Sequence, residues 1–81
     1  MIFEIGKAYK NKEGELWLIL DNTLGGEYPI YAKLLQRKKR KKGMEMMFTE
    51  NGEYISDVHL FPEAIHNLTL IPVAVAIEES A

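Results

Sequence analysis

The residues with the widest chemical range are also the scarcest in this 81-residue chain. Its only imidazoles are His59 and His66, and it has no cysteine. Ser56, Asp57 and His59 lie close together, and in an extended segment Asp57 and His59 would share one side. A hydroxyl, an acid and an imidazole are the parts of a nucleophilic triad. Triads, however, converge from distant chain positions, and neighbours within four residues arise readily by chance. His59 is therefore read as an exposed loop histidine beside a charged neighbour. The spacing of His59 and His66 fits no zinc pattern, and Asp57 and Glu63 are ordinary surface carboxylates. No glycine-rich phosphate loop and no nucleophile elbow is present. The chain reads as a non-enzyme with no metal site and no cofactor.

Binding chemistry is easier to find. Six of the ten basic residues form one uninterrupted run, Arg37, Lys38, Lys39, Arg40, Lys41 and Lys42. The remaining four basic residues face twelve acids, which leaves the rest of the chain at a net charge of −8. Six adjacent cations repel one another, whereas a loop kept polar for solubility would usually mix signs. The run is read as a contact for an anionic partner, either an acidic protein patch or nucleic-acid phosphates. Base-specific readout has no support, because the run holds no stacking aromatic and no recognition helix is evident. The acidic remainder would repel a phosphate backbone everywhere except at that run, so a protein partner is preferred and nucleic acid is the alternative.

Tyrosines and methionines form the second group. Trp17 lies within an apolar stretch and belongs to the core. Tyr31 and Tyr54 fall on the faces opposite the apolar sets Ile30/Ala32/Leu34 and Phe48/Ile55, which places them outward near Thr49. An exposed tyrosine offers apolar area with a polar tip, so these two are candidate binding residues. Alternation sends Met44 and Met46 inward and Met47 outward, and Met47 joins the candidate surface.

The elements that must position these groups are strands. Ala8–Lys10 and Glu15–Leu20 flank an Asn11–Gly14 turn and form a first hairpin. Leu16 to Leu20 is continuously apolar, as in a central strand covered on both faces. A loop follows over 21–27, and Pro29 can open the next strand, Ile30–Leu35. Its partner, Met44–Thr49, pairs best with Ala32 opposite Met46, which also sets Lys33 opposite Glu45. The basic run is then the tip of that hairpin. Asn51-Gly52 predicts a two-residue type I′ turn with Thr49 opposite Tyr54 and Glu50 facing Glu53. Residues 61–67 suggest one short helical turn after Pro62. Residues 68–77 read as a closing strand bent at Pro72, and 78–81 as a polar tail.

The expected fold is therefore all-β, with at most one short helical turn, as a single domain over 1–77. Five or six antiparallel strands would form an SH3-like barrel or a twisted sheet. The apolar segment 73–77 either closes that barrel or pairs with a second copy as a homodimer. The first residues lack the early positive charge of a signal peptide, and no apolar stretch is long enough to span a bilayer. The chain is expected to be cytoplasmic, with no membrane contact.

Tyr28-Pro29-Ile30 and the later Phe48-Thr49-Glu50-Asn51-Gly52-Glu53-Tyr54 resemble a pattern of small phage- and prophage-encoded proteins. These often carry a Tyr-Pro-hydrophobic strand, a charged hairpin and a Phe-Thr-x-x-Gly-x-Tyr turn. The likeness covers roughly residues 16–57 and transfers no functional residues. It implies a small protein that acts by binding and blocking a host protein. The length of the basic run departs from the usual pattern.

Overall fold

A computed structural model describes residues 2–36, 43–53 and 68–76. Its elements are four strands, β1 (Ala8–Lys10), β2 (Leu16–Asp21), β3 (Ile30–Gln36) and β4 (Glu45–Phe48). They form one antiparallel sheet in chain order, so every strand pairs with its neighbour in sequence. The basic run lies in the connection between β3 and β4. Arg37 to Lys42 themselves lie outside the described residues, as do Tyr54, Ser56, Asp57, His59, Glu63, His66 and the expected helical turn.

The β3–β4 register matches the pairing expected from the alternation. Ala32 opposes Met46, Lys33 opposes Glu45, Tyr31 opposes Met47 and Ile30 opposes Phe48. Ile30, Ala32, Leu34 and Phe48 are fully buried, and Met44 and Met46 pack against the same core. A slip of one residue would turn this whole set to solvent, which is why the apolar pattern holds the register. Trp17 and Phe48 meet edge to face at 5.1 Å, joining β2 to β4 within the core.

Strand β2 is central, as expected, but it is not covered on both faces along its length. Leu16, Trp17 and Ile19 are buried, Leu18 is half-buried, and Leu20 is 39% exposed. Leu18 and Leu20 lie on the open face with Lys33, whereas Trp17 and Ile19 lie on the buried face with Ala32 and Leu34. Two register shifts also interrupt the ladder. Leu16 pairs with Gln36 and Trp17 with Leu34, so Leu35 is an extra residue in β3. Ile19 pairs with Ala32 and Asp21 with Tyr31, so Leu20 is an extra residue in β2. A bulged residue leaves the ladder, so Asp21 rather than Leu20 stands opposite Tyr31.

Three connections close in one way. The amide of Asn11 donates to Glu15 (3.1 Å) and that of Gly14 to Asn11 (3.1 Å). The amide of Leu34 donates to Met44 (2.8 Å) and that of Gly43 to Leu34 (2.9 Å). The amide of Thr49 donates to Glu53 (3.1 Å) and that of Gly52 to Thr49 (2.9 Å). In each, a glycine with φ between 81° and 87° immediately precedes the residue that closes the loop. The last of these replaces the expected type I′ turn. A type I′ turn needs positive φ at Asn51, and among the described residues only glycines have it. The loop is instead Glu50-Asn51-Gly52, a type I turn followed by a left-handed glycine. Thr49 consequently pairs with Glu53 rather than Tyr54, and Glu50 is a turn corner rather than a strand partner of Glu53. The Thr49 hydroxyl supports this geometry by accepting the Glu53 amide at 3.0 Å.

The segment 68–76 crosses from the end of β4 to the edge of β1. Leu68 and Leu70 are buried in the core. The amide of Leu70 donates to Gly52, that of Ile71 to Lys10 and that of Val75 to Ala8, at 2.8–2.9 Å. The bend expected at Pro72 is present, since the Val73 amide turns back to the Ile71 carbonyl at 2.8 Å. Proline's fixed φ suits the middle of such a three-residue turn.

Candidate functional site

Of the candidate binding residues, the structure describes Tyr31 and Met47, and the β3–β4 register sets them directly opposite each other. Directly opposed residues of an antiparallel pair share a face, here the one opposite the buried Ile30/Ala32/Leu34 row. Tyr31 is half-buried, and Met47 is 47% exposed. The next row on this face is Leu18, Lys33 and Glu45, which are aligned across three strands. Lys33 and Glu45 are exposed, so the apolar pair has a charged flank of mixed sign.

On the opposite flank the bulge brings in Asp21, which the sequence assigns to the loop over 21–27. Asp21 opposes Tyr31, and Leu20 projects beside that pair. The Asp21 carboxylate accepts from the Thr23 hydroxyl (2.7 Å) and the Thr23 amide (2.8 Å). These two bonds, the hydroxyl first, favour the charged form and hold Asp21 below the usual aspartate range. The Gly6 amide donates to the Ile19 carbonyl at 2.9 Å, which brings exposed Ile5 to the same end of β2 as Leu20. The result is an apolar strip, Leu20–Tyr31–Met47, bordered by a fixed negative charge at Asp21 and by Lys33 and Glu45.

Two polar residues that sequence reasoning did not single out are buried at the first hairpin. Glu15 is 1% exposed and Asn11 is 3% exposed. The Asn11 side-chain amide donates to Glu15 Oε1 at 2.9 Å, while its Oδ1 accepts the amides of Glu13 and Glu15. This is a structural cluster, because the loop's own backbone uses Asn11 as its hub. An Asn three residues before a Gly is the available signal, and by itself it indicates only a turn. Tyr9 is likewise a core residue. Its hydroxyl accepts the Glu4 amide at 3.0 Å and donates to the Ile2 carbonyl at 3.3 Å.

Among the described residues, no group of three His, Cys, Asp or Glu side chains is placed to hold a metal ion. Among the same residues, no helix is long and apolar enough to cross a membrane. What the strip offers is an adaptable thioether, a phenol and a leucine on a rigid sheet, a combination suited to contact with another surface. No family model matches the chain, and comparison with curated proteins and with solved structures finds no match either.

Proposed function

We propose that the protein is a non-enzymatic interaction module that docks on another protein through the Leu20–Tyr31–Met47 strip and the basic run 37–42. The observation that carries this reading is the direct pairing of Tyr31 with exposed Met47 on the solvent face of the sheet. A half-buried phenol is held in place by its strand neighbours, so it loses little freedom on binding, and the thioether beside it adapts to a partner's contour. The basic run adds electrostatic steering towards an acidic patch on that partner. The resemblance to phage-encoded proteins supports a host protein as the target and a blocking action in the cytoplasm.

We also read the fold as an SH3-like barrel of five or six strands. Supporting this, segment 68–76 bonds at one end to Gly52 beyond β4 and at the other to Lys10 and Ala8 of β1.

The test is a pull-down from host lysate with three baits: wild type, Met47→Asp, and a chain with 37–42 changed to Ser and Gly. One partner should be captured by wild type and lost or strongly depleted with each variant. Equal capture by all three baits would refute the reading. Binding of duplex DNA in a gel shift, with a log–log salt slope of about −5, would favour phosphate contact by the basic run instead.

A further inference from the structure

The edge formed by residues 73–76 is not used by the proposed docking strip and has its own chemistry. Val75 makes an antiparallel bridge to Ala8, and its amide donates to the Ala8 carbonyl. In an extended segment the amides and carbonyls alternate sides, so those of Ala74 and Ala76 point away from β1. They take no backbone hydrogen bond among the described residues. Val73 is 63% exposed, Ala74 and Ala76 are exposed, and no charged residue lies between Ile71 and Ala76. Natural sheets usually blunt such an edge with a lysine, a bulge or a covering loop.

We propose that this edge pairs with the same edge of a second copy of the chain, antiparallel across a twofold axis at Val75. Three features select a second copy. The segment is self-complementary: in this register Ala74 of each chain opposes Ala76 of the other, and both alanines present the outward hydrogen-bonding groups. Small side chains at both positions allow close approach, and identical neutral surfaces bring no like charges together. The β3–β4 connection that carries the basic run leaves from the opposite side of the sheet, since the strand order is β1-β2-β3-β4. The axis therefore keeps β3 and β4 of the two copies apart, and the dimer leaves Tyr31 and Met47 of both copies open.

Sedimentation equilibrium on the full chain tests this over roughly 5–500 µM, the range suited to a short interface of modest affinity. Wild type should pass from monomer to dimer. A double variant with lysine at both Ala74 and Ala76 should dimerise at least about tenfold more weakly, as should a double variant with glutamate at both. Mixing the two variants should restore the dimer, because each lysine then faces a glutamate. Amide exchange at Ala74 and Ala76 should slow with concentration, while exchange at Ile71 and Val75 should not change. Circular dichroism checks that the variants remain folded; their substitutions are at exposed positions. Wild type that stays monomeric throughout would overturn the proposal, and would leave the edge to a strand from a different protein. Lysine variants that associate as wild type does, or a mixture no stronger than its components, would overturn it equally.

Discussion

A methyl group on Gly52 would lie 2.5 Å from Phe3 Cζ and 3.1 Å from Leu70 Cβ. The glycine also has a φ of 81°, which an L side chain tolerates poorly. Gly52→Ala therefore combines backbone strain with overpacking of a buried ring, and should cost about 2–4 kcal/mol. Gly25 has a comparable φ of 74° but open space around it. Gly25→Ala should cost only the backbone part, about 1 kcal/mol. Urea titration of both variants separates the two contributions; equal losses would show that the contact with Phe3 carries no energy. The importance of Phe3 was not legible in the sequence. It lies in an irregular segment where neither period 2 nor period 3.6 applies, and it is buried because its ring packs edge to face on Tyr9 at 4.8 Å. Trp17, in contrast, was legible as core from its apolar neighbours alone. Tyr31 and Met47 were legible as outward because strict alternation fixes a face without any knowledge of the partner strand.

Single elements show where that alternation stops being informative. Between β3 and β4 it gave the register directly, since only one pairing buries Ile30, Ala32, Leu34 and Phe48 together while opposing Lys33 to Glu45. It could not show the bulges at Leu20 and Leu35, which arise from fitting β2 to β3 and leave no mark in either strand read by itself. Asn51-Gly52 was ambiguous for a similar reason. The same dipeptide suits a type I′ turn and a type I turn with a left-handed glycine, and here the Thr49 hydroxyl and the buried seat of Gly52 favour the second. The first hairpin depends on its own polar hub. Asn11→Ala removes the donor to buried Glu15 and the acceptor for two backbone amides. The loss should be about 2–3 kcal/mol, because a buried carboxylate loses one hydrogen bond and two backbone amides lose their acceptor. Glu13→Ala keeps that hub and should change stability by less than about 0.5 kcal/mol. Thermal unfolding of the two variants distinguishes a working hub from a decorative one, and similar midpoints would rule out the hub.

At the scale of the molecule, the segment 68–76 holds the sheet's ends together although it contains none of the four strands. It bonds to Gly52 past β4 and to Lys10 and Ala8 in β1, and it contributes Leu68 and Leu70 to the core. A chain of 81 residues has little stability to spare, so one such anchor has a large effect. Leu70 is 1% exposed, whereas its neighbour Ile71 is 41% exposed. Leu70→Ala should therefore lose about 2–5 kcal/mol through the cavity it leaves, while Ile71→Ala should lose less than about 1 kcal/mol. If the segment is part of one cooperative unit, Trp17 fluorescence and the amide protection of Ile71 and Val75 should disappear at the same urea concentration. Leu70→Ala should move both transitions together. Should the amides of Ile71 and Val75 open at lower urea while Trp17 stays buried, the segment is a detachable strap. The same edge would then be offered to a second copy only part of the time, and dimerisation would weaken in proportion.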